Sequence, residues 1–478
     1  MAKNDRNSKD ILKRRELGTH ITSKDIFLKY IFPEIKEKLY NFIWVDLYAG
    51  KGNLILPILN YIPPEKRINF FEKHIYLFDI QEEMVKQCIK NTVSYGIPIE
   101  VSKKNINQRN NLSNFPNFLL KKVLPIFHIT NPPYLYLGYI RKKKSMEEYL
   151  PLFEKENKGY QDLYQIAMMN DLKNGIKNLI YIIPSNFLFG ASVSNKFRLD
   201  FLSYYNILKM IIFETKIFDY TGTNICIGFF KRKLNPGAKI QKFNGIKIKK
   251  NDKILRKNYN LKPRFKYRAG SEFDEFLESY RAKSPLKIKY YLLRDQVLKN
   301  KGSNTIKAID ANNYKNNKYK LIELKLNDNL MHKIKSNILY IKTVDSGSMD
   351  GRVGIGLIKD EFHVDAIYVS SNTYRTHPIQ IFLEPGISID DQKLLKNYFN
   401  FMLEYFREQL DSEFLTTYKY SNAEYTRKYL GLSQVRKLIQ TFPILNLNLD
   451  KKKELELAIK NQNFEKILDI FNSFNELD

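Results

Sequence analysis

Residues 44–53 read Trp44-Val45-Asp46-Leu47-Tyr48-Ala49-Gly50-Lys51-Gly52-Asn53, an apolar strand running into a turn with two glycines. Gly50 and Gly52 permit a tight turn and close backbone approach to a ligand. The pattern lacks the third glycine of the dinucleotide fingerprint and the Gly-Lys-Ser/Thr ending of a phosphate-binding loop. It therefore favours neither nicotinamide nor ATP. Asp46, just before the turn, is placed to meet a positively charged ligand group such as an ammonium. Asp79 ends the next apolar run, where an acid accepts hydrogen bonds from ribose hydroxyls.

Outward from this turn, apolar runs recur at 43–48, 75–80, 125–129, 179–183, 207–213 and 224–230, separated by helical stretches. Their nearly continuous apolar character suits parallel strands covered on both faces. The alternation predicts an α/β fold with a doubly wound, mostly parallel sheet. Residues 1–17 read as a flexible basic leader, and helical periodicity covers 24–40. The composition changes at Lys231: from there to Arg268 there are 15 Lys and Arg against one acid, Asp252. That segment is either a solvated linker or a strand-and-loop surface suited to phosphates. The expected organisation is a leader to 17, an α/β domain over 18–235 and a mixed α+β domain over 236–478. Helical runs are expected near 388–410, 431–441 and 451–474.

The 478 residues are enough for two or three cores, and 43% hydrophobic with 14% aromatic residues excludes a largely disordered chain. A formal net charge of +28 favours a polyanionic partner, nucleic acid first. Cys88 and Cys226 alone support neither a disulfide framework nor a thiolate metal site, and the six histidines show no ligand spacing, so no metal is expected. The polar start carries no apolar signal core, and no run is long enough to span a bilayer. The cytoplasm is the expected compartment, with no membrane partner.

A second stretch carries the chemistry. Phe127-His128-Ile129-Thr130 leads into Asn131-Pro132-Pro133-Tyr134. The prolines fix φ and supply no N–H, so nearby carbonyls remain free as acceptors in a rigid turn. The Asn131 amide adds an acceptor and Tyr134 a flat ring. A planar group bearing an exocyclic amine fits such a cup, although the tetrapeptide also reads as a plain turn after a strand.

Taken together, Asp46 to Asn53 resembles the first motif of S-adenosylmethionine-dependent methyltransferases, and Asn131 to Tyr134 resembles the catalytic motif of amino-methyltransferases acting on adenine N6. Cofactor motif first, catalytic motif second and variable region last is the gamma arrangement of N6-adenine DNA methyltransferases of the restriction–modification type. The resemblance covers roughly residues 17–233. It implies a Rossmann-like class I methyltransferase domain, a C-terminal target-recognition domain and a prokaryotic, cytoplasmic setting. S-adenosylmethionine is the implied cofactor, with Thr22, Asp46, Tyr48, Ala49, Gly50, Gly52, Asp79, Asn105 and Ile106 around it. Asn105-Ile106 stands where the family has an Asp-Phe pair, and Ser23 follows Thr22 where the family usually has proline. Asp162-Leu163-Tyr164 and Ile183 to Leu188 match two further motifs.

Asn131, Pro132, Pro133 and Tyr134 are the implied catalytic residues, with Phe218 a second aromatic for a flipped adenine. Double-stranded DNA is the implied partner. Arg141, Lys142, Lys249, Lys250, Arg352, Arg375, Lys419 and Arg427 are candidate DNA contacts. The chain is expected to act as a monomer, with a separate cognate restriction endonuclease as a further partner the reading allows. The readings left open are methylation of RNA adenine or protein glutamine, a non-catalytic relict of the fold, and a bifunctional restriction-modification enzyme. Asp310 with Glu323-Leu324-Lys325 is a loose match to a metal-dependent nuclease pattern. The glycine-rich stretch Gly351 to Gly356 is expected to be a loop.

Overall fold

The computed structural model describes residues 22–215, 217–218, 224–249, 253–345, 352–373, 377–420 and 426–473. The chain forms two compact units, Met1–Ala269 with Lys419–Ala423, and Gly270–Tyr418 with Glu424–Asp478. The leader and Gly18 to Ile21 lie outside the described residues.

The first unit is built on a nine-stranded sheet. Its strands are β1 (Ile43–Asp46), β2 (Ile75–Asp79), β3 (Ile106–Gln108), β4 (Ile126–Thr130), β5 (Asn178–Pro184), β6 (Tyr205–Phe213), β7 (Ile225–Arg232), β8 (Gln241–Ile248) and β9 (Ile254–Leu261). They lie in the order β3-β2-β1-β4-β5-β7-β6-β8-β9. β1 to β5 are mutually parallel, and β7 runs antiparallel between β5 and β6. Strand alternation sends successive side chains to opposite faces. Ile43, Val45, Tyr76 and Phe78 enter one core, while Trp44, Ile75 and Leu77 enter the other. The first core includes residues of helices Leu163–Lys173 and Asn195–Tyr204; the second draws on the 26–39 and 54–62 segments. Burial on both faces explains why the strands read as unbroken apolar runs. The expected doubly wound α/β fold is the observed one.

The strand order reverses between β1 and β4, which opens a crevice beyond the carboxyl ends of these strands. The connections after β1, β2, β3 and β4 all meet there.

Some expectations change. The basic segment 231–268 is not a linker: β8 is parallel to β6, and β9 pairs antiparallel with β8. The first unit therefore runs to Ala269, beyond the expected limit of 235. Residues 24–41 form short consecutive α, π and 3-10 segments rather than one helix.

The second unit contains two four-stranded sheets, one ordered Lys287–Tyr290, Ile379–Glu384, Leu339–Lys342, Gly354–Leu357. Its main core gathers on the helix Ile389–Leu410, whose buried positions include Leu395, Tyr398, Phe399 and Met402. Gly354–Leu357 is thus a strand and not a loop. The expected helix 451–474 is two helices, Leu449–Lys460 and Phe464–Asn472. Among the described residues, no helix is long and apolar enough to cross a membrane.

Candidate active site

The turn after β1 uses left-handed backbone at both glycines, φ +52° at Gly50 and +79° at Gly52. A side chain at Gly52 would strike Leu56 Cδ1 at 2.6 Å and Cys88 Sγ at 2.9 Å, so packing as well as backbone shape demands glycine there. The turn's amides are engaged one by one. Tyr48 N donates to Asp46 Oδ1 (3.0 Å), Ala49 N to the Phe78 carbonyl (2.7 Å) and Gly50 N to Asp79 Oδ2 (2.8 Å). Asp79 also accepts from Gln81 N (2.8 Å). Its carboxylate thus splints the turn after β1 to the end of β2.

A cavity opens over this turn, lined by Thr22, Asp46, Tyr48, Ala49, Gly50 and Asp79, and on its other side by Asn131, Pro132 and Pro133. The glycine turn after β1 and the Asn131-Pro132-Pro133 turn after β4 therefore line one space. Asp46 is buried and accepts from Thr130 Oγ1 (2.6 Å). Burial pushes its carboxyl up to about 7, against the lowering effect of the Thr130 hydrogen bond. Burial likewise raises Asp79.

Asn131 Nδ2 donates to Thr22 Oγ1 (2.9 Å), and Asn53 Nδ2 donates to the Thr22 carbonyl (2.8 Å). The leading motif, the glycine turn and the catalytic motif are thereby joined. The Tyr134 hydroxyl meets Asn131 Oδ1 and the Ile182 carbonyl (2.6 Å). Its ring is packed against both cores and is not among the cavity-lining residues. Asp162 Oδ1 accepts from Leu135 N (2.9 Å), fixing the chain just past the catalytic motif to the start of helix Leu163–Lys173. Burial pushes the Asp162 carboxyl up to about 7.

Two sequence assignments move. Asn105 ends a helix and spends its amide on the Phe71 and Glu72 carbonyls (3.1 and 3.0 Å), and neither Asn105 nor Ile106 lines the cavity. The connection after β3 does: Arg109, Asn110, Asn111 and Leu112. The run Asn110-Asn111-Leu112 was the available signal, lying after the strand instead of before it. Phe218 is buried in the core that holds Phe213 and Ile225 and is also absent from the cavity. Lys51, Gln81, Met84 and Tyr149 line the cavity without having been singled out.

Two buried polar atoms on cavity-lining residues, Tyr48 Oη and Asn111 Oδ1, have no hydrogen-bond partner among the described residues. The Asp46 and Asp79 carboxylates on the cavity lining suit a ligand rich in donors and positive charge.

Of the candidate DNA contacts, Arg141 and Lys142 are exposed just past the catalytic motif, and Lys249 is half-buried. Arg352 pairs with Glu404. Lys250 and Arg375 lie outside the described residues, as do the side chains of Lys419 and Arg427. Asp310 is buried and holds Asn312 N, Asn313 Nδ2 and Ser370 Oγ, whereas Glu323 is exposed and sits opposite Lys307. These two acids do not form one metal-binding face. Among the described residues no cluster of three or more His, Cys, Asp or Glu forms a metal site.

The sequence model of the N-6 DNA Methylase family matches residues 16–330. No curated protein matches the chain. Among solved structures it is similar to the Type IIL restriction-modification enzyme MmeI in complex with DNA, with 14% identity over 94% of this chain and 71% of that one and a TM-score of 0.52, a likeness of fold. It is also similar to the modification subunit assigned to a type I restriction enzyme from Vibrio vulnificus YJ016 (16% identity, 59% of this chain, TM-score 0.37). A third is a nuclease-deletion mutant of the Type ISP enzyme LlaGI with a DNA substrate mimic (15% identity, 62% of this chain, TM-score 0.40). The chain spans 58% and 30% of the lengths of the latter two.

Proposed function

Because the chain belongs to the N-6 DNA methylase family, we propose that it methylates adenine N6 in duplex DNA at a specific site, as the modification part of a restriction–modification system. The observation that carries this reading is the shared cavity, in which the Asn131-Pro132-Pro133 turn faces the glycine turn and the Asp46 and Asp79 carboxylates.

S-adenosylmethionine is the family's cofactor, and the residues present fit it. Asp46 would meet its positively charged end, and Asp79 its ribose hydroxyls. Asn111 lines the cavity and takes the place first given to Asn105. Bound there, it supplies a methyl group whose leaving group departs neutral.

The chain's own residues then act on the target amine. Asn131 Oδ1 and the Pro132 carbonyl accept its two N–H bonds, which draws the nitrogen toward tetrahedral geometry and frees its lone pair for in-line attack. The Thr22 hydroxyl holds Nδ2 of Asn131, so Oδ1 is the atom presented. Tyr134 occupies one lone pair of Oδ1 and leaves the other for substrate. Catalysis is then positioning and electrostatics, with no strong base, because methylation itself acidifies the nitrogen. A stacked adenine cannot reach the cavity, so it is rotated out of the duplex. Arg141 and Lys142 act on the phosphates, and the second unit reads sequence.

Transfer of labelled methyl groups to duplex DNA, compared with RNA and protein, tests the substrate class. The reading requires duplex DNA to be the acceptor, and transfer confined to RNA or protein contradicts it.

A further inference from the structure

A buried polar chain lies behind the cofactor turn and has no part in the mechanism above. Tyr181 Oη donates to Asp171 Oδ2 (2.6 Å), and His128 Nδ1 lies 2.6 Å from the same oxygen. At its far edge, His128 Nε2 receives the amide of Leu47 (3.2 Å). All three side chains are at most 1% exposed. A backbone amide can only donate, so Nε2 carries no proton, and Nδ1 carries the ring's proton toward Asp171. Asp171 therefore selects the one tautomer able to hold Leu47.

Leu47 opens the turn that lines the cavity, and it is gripped at both ends. Asn111 Nδ2 donates to its carbonyl (2.7 Å), and Asn170 Nδ2 donates to the Leu112 carbonyl (2.7 Å). Asn170 and Asp171 are neighbours on helix Leu163–Lys173, so one helix steadies the connections after both β1 and β3.

We propose that His128 is a positioning residue of the cofactor site: held by Asp171 and Tyr181, it sets the Leu47 amide and through it the turn Leu47 to Gly50. The inference rests on the reading of the cavity as a site for S-adenosylmethionine. Leu47 is buried, so without an acceptor its N–H is left unsatisfied and the turn relaxes away from its ligand-ready shape.

The test uses the full chain and S-adenosylhomocysteine as probe, with Kd measured by calorimetry on the folded wild type and on His128→Phe, His128→Gln and His128→Asn. Glutamine extends its amide to the Nε2 position and reaches Leu47; asparagine reaches only the Nδ1 position, beside Asp171. His128→Phe and His128→Asn are expected to weaken binding by about tenfold or more, and His128→Gln to stay within about threefold of wild type. Affinity for duplex DNA stays level in all three, which a general loss of structure would not allow. Equal Kd values for the Gln and Asn variants overturn the assignment even where the Phe variant does not fold. Wild-type protein that binds neither S-adenosylmethionine nor S-adenosylhomocysteine overturns the reading of the cavity and the inference with it.

Discussion

Asn131 and Thr22 are 109 positions apart in sequence, yet the amide of the one donates to the hydroxyl of the other across 2.9 Å. This bond decides which end of the Asn131 amide faces the cavity. Removing it lets the amide rotate and present a donor where an acceptor is needed. Thr22→Val is therefore expected to lower the methyl-transfer rate about tenfold. Asn131→Ala removes the acceptor itself and is expected to cost about 10²–10³-fold or more, with an unchanged thermal unfolding curve. Single-turnover assays with tritiated cofactor, alongside circular dichroism, check both.

Tyr134 holds Asn131 through its hydroxyl while its ring packs into two cores. Tyr134→Phe keeps the packing and loses the hydroxyl; Tyr134→Ala loses both. The phenylalanine variant is expected to be the milder, with a rate loss of a few fold. The alanine variant in addition loses the ring's packing against both cores, about 3 kcal/mol of folding stability, which thermal unfolding reads. Equal losses in the same transfer assay would mean that the hydroxyl alone matters.

Asp46 gives a pH dependence with a definite sign. Burial raises its carboxyl to about 7, so the carboxylate a cationic ligand needs becomes populated only as pH rises through 7. Affinity for S-adenosylmethionine is expected to rise about tenfold between pH 6 and 8, following the ionised fraction. The linkage to stability has the opposite sign. Between its ordinary value near 4 and 7, the folded chain holds a proton the unfolded chain has released, so stability at this group falls as pH rises. Asp46→Asn is expected to flatten both slopes, read by calorimetry and by thermal unfolding across pH.

Arg141 and Lys142 are exposed beside the catalytic motif. If they neutralise phosphates, replacing both with alanine weakens duplex binding without regard to sequence. The slope of log affinity against log salt is expected to drop by about 1–2. Fluorescence anisotropy over a salt series measures it, and an unchanged slope places the phosphate contacts elsewhere.

The central strands were legible because they are buried on both faces and leave apolar runs in the sequence. The turn at Gly50 and the Asn131 motif were legible because their chemistry is local. β3 was not: it is three residues long, and Asn107 and Gln108 are exposed, so no apolar run marks it. The loop that matters, Arg109 to Leu112, was consequently missed in favour of Asn105. β8 and β9 alternate buried and exposed basic positions near the end of the sheet, a pattern close to that of a solvated linker. Phe218 could not be told from a core residue by sequence, and it is one. The His128–Asp171 pair joins positions 43 apart through burial alone, which no spacing rule detects.

The most direct measurement incubates the protein with duplex DNA and a cofactor carrying a trideuterated methyl group, digests the DNA and weighs the nucleosides by mass spectrometry. The expected product is trideuterated N6-methyldeoxyadenosine from wild-type protein and none from Asn131→Ala. Label on cytosine, or label on adenine that persists in the Asn131→Ala protein, would contradict adenine-N6 methylation through Asn131.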